Sequence, residues 1–336
     1  RIEDTDAERS TQDAQYALLH DLQWLGLLWD EGPGTPSYTP PASPHGPYTQ
    51  SKRYDIYQHH ARILLEQGNA YYCFATNEDI ETQRAKAKHP AAFQFQSPYR
   101  DASLSEAEKK IANGKKAVIR FKNDYHDQVF TYDDLVRGPI TLPGHMIGDF
   151  VILRNNQSPV YNFCCAVDDA LMGITHVLRG EEHLSNTLRQ LMIYRALAFT
   201  PPAFGHLSLI LGSDQKKLSK RTGAQSVGDF KSQGYMPSGL INYLALLGWS
   251  DPQHREILSL DELIQAFSTD RLNPAAPMYD TKKCQWVNAQ HIKTLSDEAL
   301  WHAVAPLLQA QGLTLPENAA WQIKSVTIFR ADWQLL

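Results

Sequence analysis

Gln215-Lys-Lys-Leu-Ser-Lys-Arg-Thr-Gly-Ala224 places four cationic side chains within six residues and ends in a short Thr-Gly-Ala segment. A basic run of this kind is usually a solvated turn. Here residues 206–212, just upstream, have the composition of a buried strand and a turn, which would attach the run to the edge of a sheet. A cationic loop held in this way predicts a site for a polyanion such as a nucleotide triphosphate.

The length and composition of the chain limit the classes of protein to consider. Its 336 residues predict two or three domains. The chain has 43% hydrophobic and 21% charged residues and no apolar run long enough to span a bilayer, so we expect a soluble protein without a membrane partner. The net charge of −5 excludes a histone-like coat of positive charge, and any nucleic acid would be bound by local basic patches.

The cysteines and apolar runs give further expectations. Four cysteines, at positions 73, 164, 165 and 284, fit reduced thiols in a cytoplasmic protein rather than a disulfide framework. Cys164 and Cys165 lie within residues 159–167, an aromatic and apolar run that predicts a strand buried on both faces, and packing is their expected role. Between residues 69 and 158, the patterns predict three short strands and a polar helix.

Six further motifs follow one another in a specific order. They are Arg1-Ile-Glu-Asp-Thr-Asp6, Pro44-His-Gly-Pro-Tyr-Thr-Gln-Ser51, Tyr161-Asn-Phe163, Val167-Asp-Asp169, His176-Val-Leu-Arg-Gly-Glu-Glu-His183 and Asn242-Tyr-Leu-Ala-Leu-Leu-Gly-Trp-Ser250. Any one of them is weak evidence, but their combination is specific. Lys-Leu-Ser-Lys-Arg also has the form of the second ATP-binding motif of class I aminoacyl-tRNA synthetases. Together these motifs resemble the bacterial-type glutamyl-tRNA synthetases from residue 1 to at least residue 288.

The resemblance implies an α/β fold with a split Rossmann-type parallel sheet, an inserted α+β module, a helical stem-contact region and the start of an all-α anticodon-binding domain. The expected catalytic domain has two halves, residues 1–68 and 159–200. The connective-peptide insertion that binds the acceptor stem lies between them, at residues 69–158. The stem-contact domain with the Lys-Leu-Ser-Lys-Arg loop would follow at residues 201–290, and the anticodon-binding domain would begin at residues 291–336.

Glu3 is a candidate for binding the amino acid. It ends a predicted strand at a strand-to-helix junction, where open α/β sheets bind ligands. Its carboxylate could accept a bond from a substrate ammonium, or it could pair with Arg1, and the residues alone leave both alternatives open. The resemblance implies that Glu3 holds the α-amino group of the substrate.

Arg179 and Tyr161 are candidates for recognising a carboxylate. Arg179 ends a predicted strand, where its guanidinium could bind a carboxylate in a bidentate manner or be neutralised by Glu181 and Glu182. Tyr161 lies at the entrance of the apolar run. The resemblance implies that both residues recognise L-glutamate, without indicating which of its carboxylates each one holds.

The resemblance also implies that the protein is a ligase, a glutamate–tRNA ligase of protein biosynthesis. ATP and glutamate form glutamyl-adenylate, and the terminal ribose of tRNA(Glu) then takes the acyl group. Positioning and cations suffice for the first step, because the substrate supplies the nucleophile. We expect Lys217, Lys220 and Arg221 to be catalytic and to bind ATP. Ser219 and His183 are also expected to bind ATP. A structural role for His183 at the start of a helix is equally compatible with the sequence. Mg²⁺ would bridge phosphate oxygens.

Other expectations concern the tRNA and metals. Tyr48 and Ser51 are candidates for contact with the acceptor end, and packing of Tyr48 on the sheet is the alternative. Some relatives hold a structural zinc in the insertion, but the single thiol of Cys73 cannot build a tetrahedral site, so we expect no zinc. We expect a monomer.

Part of the family pattern is missing from the chain. The first ATP motif, His-x-Gly-His or a near variant, would lie upstream of Arg1, and most of the anticodon-binding domain would lie beyond residue 336. We therefore expect a fragment that is inactive or severely impaired by itself. Whether tRNA(Gln) is also charged depends on contacts beyond residue 336.

Two alternatives to a glutamate–tRNA ligase are open. A truncated relative would transfer glutamate to a modified tRNA nucleoside, but the helices predicted beyond Gly248 disfavour it. A non-catalytic tRNA-binding relative would keep the fold without the chemistry, but Glu3, Tyr161, Arg179 and the residues of the cationic loop disfavour it.

Overall fold

The structure, a computed structural model, describes residues 1–5, 10–89, 93–218 and 225–336. Three residues of the predicted ATP site, Ser219, Lys220 and Arg221, lie outside these ranges. The chain forms two compact units. The first contains residues 1–16 and 29–206, and the second contains residues 17–28 and 207–336. The finer division into five parts stays a prediction.

The helices and strands are numbered here in chain order. The helices are α1 (Gln12–Trp24), α2 (Tyr54–Glu66), α3 (Asn77–Ala85), α4 (Leu104–Ala112), α5 (Tyr161–Leu171), α6 (Leu184–Ala196), α7 (Val227–Ser232), α8 (Pro237–Ala245), α9 (Leu260–Ala266), α10 (Thr281–Thr294), α11 (Asp297–Ala310) and α12 (Ala319–Phe329). The strands are β1 (Ala70–Cys73), β2 (Val118–Phe121), β3 (Val129–Asp134), β4 (Gly138–Pro143), β5 (Phe150–Leu153), β6 (His176–Gly180) and β7 (Ala203–Leu207).

The sheets of the first unit are small. β1, β2 and β5 form an antiparallel sheet in that order, with Ala70 opposite Phe121, and β3 pairs antiparallel with β4. β6 pairs with β7, and a parallel bridge joins Ile2 to Thr49. The three strands and the helix predicted within residues 69–158 are present as β1, β2, β3 and α4. The structure adds α3, β4 and β5 to them.

Helices α2, α5 and α6 bring the first unit's core together. α2 buries Tyr57, Ala61 and Leu64 at helical spacing, which is the pattern of an amphipathic helix. These side chains share one apolar cluster with Phe163 of α5 and Met192 of α6. This packing fixes the positions from which α5 presents its polar side chains.

The prediction of a strand at residues 159–167 is wrong, because this segment forms most of α5. Every residue from Phe163 to Asp169 is buried, so that the helix has no polar stripe to reveal its period. A short apolar run buried on all sides cannot be distinguished from a buried strand by periodicity. The helix ends at Leu171 and is capped by Met172, and Gly173 follows with a φ of 65°, a conformation that suits glycine.

The second unit is mainly helical. α8 and α10 pack against each other around Leu240, Tyr243, Cys284 and Val287. α7 and α8 flank Gly234. In the part of the chain that the structure describes, no helix has the length and apolar composition needed to cross a membrane.

Candidate active site

A cavity of about 620 Å³ lies in the first unit. Arg1 and Glu3 line it from the start of the chain, Tyr48 from the loop before α2, and Asp169 from α5. Residues 172–178, which join α5 to β6, line another part. Charged and phenolic side chains from separate segments therefore surround one space.

The parallel bridge at Ile2 places Arg1 and Glu3. The Ile2 N–H donates to the Tyr48 carbonyl at 2.7 Å, and the Gln50 N–H donates to the Ile2 carbonyl at 3.0 Å. Alternate residues of an extended segment point to the same side. Arg1 and Glu3 consequently face the cavity together, next to the loop that holds Tyr48.

Glu3 lies in a network of ionisable groups. Arg1 donates from Nη2 to Glu3 Oε1 at 3.0 Å and forms an ion pair with Asp169. The Cys165 thiol donates to the same Glu3 oxygen at 3.1 Å. The pairing with Arg1 that the sequence left open is thus present, and Glu3 still exposes 41% of its side chain. Burial raises the pKa of Asp169, which the guanidinium of Arg1 opposes.

Asp168, which received no role in the sequence analysis, is fully buried and accepts three hydrogen bonds. Gln50 Nε2 donates at 3.0 Å, Arg53 Nε at 2.8 Å and the Tyr57 hydroxyl at 2.8 Å. Burial raises the pKa of Tyr57, which remains a donor. Arg53 also donates from Nη1 to the Pro47 carbonyl at 3.1 Å. This network joins α5 to α2 and to the loop that places Tyr48.

Tyr161, the first residue of α5, contacts His183. The Tyr161 hydroxyl and His183 Nδ1 are 3.1 Å apart, and the ring centroids are 5.3 Å apart. Burial raises the pKa of Tyr161, the charges of Cys165 and Glu3 add to the rise, and Arg179 opposes it. Of the three residues predicted to bind glutamate, Glu3 and Arg179 are therefore both close enough to Tyr161 to influence its pKa, whereas Tyr161 and Arg179 are not among the residues that line the cavity with Glu3.

Arg179 of β6 is half-buried and held by neighbours. Its Nε donates to His206 Nε2 at 3.2 Å, and its Nη2 donates to Thr187 Oγ1 at 2.7 Å. The guanidinium carbon lies 5.3 Å from the centroid of the Phe204 ring. Glu181, which the sequence offered as a neutralising partner, forms an ion pair with Arg137.

Of the residues predicted to bind ATP, Lys217 and His183 are within the described ranges. Lys217 is exposed in the second unit, where residues 210–218 form a short hairpin closed by the Leu211–Lys217 bridge. The Leu218 N–H donates to the Ile210 carbonyl at 2.9 Å. Of the strand and turn predicted at residues 206–212, the turn is present in this hairpin, but the strand β7 ends at Leu207 and residues 208–210 belong to no strand. His183 belongs to the first unit and contacts Tyr161, which the sequence did not indicate.

The two residues predicted to contact tRNA have different surroundings. Tyr48 lines the cavity, and its hydroxyl donates to Glu31 Oε2 at 3.4 Å. Hydrogen bonds from Ser43 and from His45, which lies 2.8 Å from Glu31, lower the pKa of Glu31. Ser51 is exposed, and its backbone N–H donates to Asp4 Oδ1 at 2.8 Å.

All four thiols are expected to react slowly in the folded protein. Cys73, Cys164, Cys165 and Cys284 are buried. Hydrogen bonding with Cys164 and burial raise the pKa of Cys165, and burial raises the pKa of Cys284 to about 11. Since the thiolate is the nucleophile, we expect almost no rapid reaction with Ellman's reagent at pH 8, and four reactive thiols after unfolding in guanidinium. Rapid modification of the folded chain would contradict the burial described here.

Comparison with known proteins identifies the family. The model of the catalytic domain of class I tRNA synthetases (E and Q) matches residues 1–286. The chain belongs to this family. The glutamate–tRNA ligase of Bdellovibrio bacteriovorus is 51% identical to this chain over the full length of the chain. The chain, called the synthetase below, covers 68% of that ligase. The glutamate–tRNA ligase of Natranaerobius thermophilus is 45% identical, again over the whole chain and 68% of the relative.

Comparison with solved structures leads to the same family. A crystal structure of a glutamate tRNA ligase from Elizabethkingia meningosepticum, in complex with its amino acid, superposes with a TM-score of 0.86 at 28% identity. The synthetase is covered completely, and 70% of that chain is covered. These findings confirm the predicted family, the α/β class and the enzyme class, a ligase. The synthetase spans about two thirds of the length of these relatives.

In residues 1–5, 10–89, 93–218 and 225–336, no group of three or more His, Cys, Asp or Glu side chains is arranged to hold a metal ion. Cys73 of β1 is buried, and its thiol lies 3.3 Å from the Ser97 hydroxyl.

Proposed function

We propose that the synthetase activates L-glutamate with ATP, transfers it to the 3′ end of tRNA(Glu), and binds the amino acid in the cavity that Glu3 lines. The observation that supports this assignment is that an acid and a guanidinium, Glu3 and Arg179, both lie close enough to one phenol, Tyr161, to act on its pKa. A substrate with one ammonium and two carboxylates requires such a set. The names of the relatives, glutamate–tRNA ligase, support the same substrate.

Glu3 is assigned to the ammonium group. The bonds that it accepts from Arg1 and Cys165 both end on Oε1. In the described part of the chain no donor reaches Oε2, so this oxygen is available for a charge-assisted bond. Arg1 also links Glu3 to Asp169, which fixes the carboxylate in place before the substrate binds.

Arg179 and Tyr161 are assigned to the carboxylates. A guanidinium offers a rigid pair of N–H donors that matches a carboxylate, and a protonated phenol supplies another donor. Burial raises the pKa of Tyr161, so that it remains protonated and able to donate. His183, which contacts Tyr161 at 3.1 Å, would orient this hydroxyl in addition to its proposed contact with ATP.

The chemistry requires no nucleophile from the protein. A substrate carboxylate oxygen attacks the α-phosphorus of ATP, pyrophosphate leaves, and the terminal ribose hydroxyl of the tRNA then displaces AMP from the adenylate. We assign Lys217, Ser219, Lys220 and Arg221 to the triphosphate, where cations stabilise charge that develops in the transition state. Mg²⁺ would accompany ATP on its phosphate oxygens, as is usual for this ion.

The remaining assignments follow the same proposal. Tyr48 and Ser51 would contact the acceptor end of tRNA(Glu), residues 69–158 would bind its acceptor stem, and residues 201–290 would contact the stem nearer the inner corner. The protein would act as a monomer in the cytoplasm.

Charging of tRNA(Glu) by the intact enzyme tests the proposed function. We expect ATP-dependent attachment of glutamate, and little attachment of glutamine or aspartate. Lys220→Ala should lower the rate of adenylate formation by about 100-fold, as expected for loss of a transition-state cation. Lys324→Ala, which removes an exposed lysine of α12, is the matched control. Equal rates for the two variants would refute the assignment of Lys220 to the ATP site. Efficient charging with another amino acid would refute the assignment of glutamate as the substrate.

A further inference from the structure

Arg179 is attached to a buried polar network that connects three strands. His206 of β7, which accepts from Arg179 Nε through Nε2, contacts Asp134 of β3 with its other ring nitrogen. The distance from His206 Nδ1 to Asp134 Oδ2 is 2.5 Å. The side chains of both residues have no exposed surface. Thr187 of α6 completes the network, with its hydroxyl 3.1 Å from His206 Nε2 and 2.7 Å from Arg179 Nη2.

The donors and acceptors of this network determine the tautomer of His206. A guanidinium has only donors, so His206 Nε2 must accept the bond from Arg179. Nδ1 then carries the hydrogen and donates a hydrogen bond to Asp134. Burial lowers the pKa of His206, which favours the neutral ring. Burial alone would raise the pKa of Asp134, but its bond with His206 and its bonds with backbone N–H groups lower the pKa overall.

We propose that Asp134 and His206 are positioning residues for glutamate recognition, because they hold the guanidinium of Arg179 in the orientation that receives a substrate carboxylate. This inference rests on the proposed role of Arg179. Nε and Nη2 share one edge of the guanidinium, and the bonds to His206 and Thr187 occupy that edge. The other edge, formed by Nη1 and Nη2, is the one that we assign to the substrate carboxylate, next to the Tyr161 hydroxyl, which forms a hydrogen bond with Arg179.

The physical advantage of this arrangement is that the arginine is ordered before the substrate arrives. A long side chain that is immobilised only on binding loses rotamer entropy, which lowers the affinity for the substrate. Asp134 lies within the predicted insertion, residues 69–158. Recognition of the amino acid would therefore depend on a residue outside the two halves of the Rossmann domain.

Asp134→Asn in the intact enzyme tests the inference with an isosteric change. Asp134 Oδ1 accepts from the backbone N–H groups of Val136, Arg137 and His206 at 3.0–3.1 Å. An asparagine keeps these bonds with its oxygen and turns its NH₂ group toward His206 Nδ1. Nδ1 must then accept, Nε2 must hold the proton, and two donors face each other between His206 and Arg179.

The expected result is a rise of at least 10-fold in the KM for glutamate, with the KM for ATP changed less than 2-fold. ¹⁵N NMR of histidine-labelled protein should show His206 changing from the Nδ1–H to the Nε2–H tautomer, which verifies that the substitution acts through His206. The selective rise in the KM for glutamate is the effect that a purely structural role of Asp134 would not produce. Asp133→Asn makes the same charge change one residue earlier in β3, at an exposed position, and should alter neither measurement.

Two further variants keep the inference testable if Asp134→Asn does not fold. His206→Gln retains an acceptor near the position of Nε2, whereas His206→Leu removes it. We expect a KM for glutamate at least 5-fold higher in the leucine variant than in the glutamine variant. Equal values in these two variants would overturn the inference. So would Asp134→Asn with an unchanged KM for glutamate, whichever tautomer His206 then adopts.

The outcomes also separate this inference from the proposed function. A large effect of Arg179→Gln on glutamate, together with no effect of Asp134→Asn, would leave the substrate site intact and refute only the positioning role. No effect of Arg179→Gln would refute both.

Discussion

Replacing Asp168 with alanine is expected to lower the free energy of unfolding by about 3–5 kcal/mol, the usual cost of removing one partner of a buried ion pair. Asp168 is fully buried, and Arg53 is only 3% exposed. The substitution would leave the guanidinium of Arg53, the amide of Gln50 and the hydroxyl of Tyr57 without their shared acceptor. Urea unfolding followed by circular dichroism measures the loss.

Two comparisons make this prediction specific. Asp55→Ala removes an exposed carboxylate from the first turn of α2 and should cost at most about 1 kcal/mol, the size of a helix-dipole contribution. The double variant Asp168→Leu with Arg53→Met should be more stable than Asp168→Ala, because it no longer buries an unpaired charge. A loss for Asp168→Ala that does not exceed the loss for Asp55→Ala would show that the network is not a structural requirement.

The sequence predicted those parts of the fold that repeat with a clear period or resemble known motifs. α2 has apolar side chains on one face, so its period is visible. The turn of the hairpin at residues 210–218 contains Gly212, and the order of the motifs indicated the family. Residues 159–167 were assigned to the wrong type of element, because a helix buried on all sides has no polar face.

The site was only partly predictable for a different reason. Glu3, Tyr161 and Arg179 were proposed as site residues from motifs, but some of their partners are distant in the chain, such as Cys165 for Glu3. Asp134 and His206 are 72 residues apart, and no local pattern relates them. A useful signal was present nevertheless, since an ionisable side chain inside an apolar run, such as Asp168, must find a partner when buried.

The largest effect on activity is expected from Arg179→Gln. Glutamine retains a polar side chain but loses the charge and the paired N–H donors that match a carboxylate. Loss of one partner from a hydrogen-bonded charge pair costs 2–5 kcal/mol or more, so we expect kcat/KM for glutamate to fall on the order of 1,000-fold. The KM for ATP should remain within a few fold of its normal value, because Arg179 is assigned to the amino acid alone.

Two controls isolate this effect. Arg84→Gln makes the same substitution at an exposed position of α3, where Arg84 pairs with Glu81, and it should leave the KM for glutamate unchanged. Calorimetric titration with L-glutamate should show weakened binding by the Arg179 variant even if its turnover is too slow to measure. Normal binding of glutamate by this variant would refute the assignment of Arg179 to the substrate site.

The same variant determines which carboxylate Arg179 holds. If the guanidinium binds the side-chain carboxylate, its loss penalises glutamate much more than glutamine, since glutamine never made that charged contact. The ratio of kcat/KM for the two amino acids should then shrink by at least 10-fold. If Arg179 binds the α-carboxylate, which both amino acids share, both values should fall together and the ratio should stay constant. The side-chain carboxylate would in that case be assigned to Tyr161 and its neighbours.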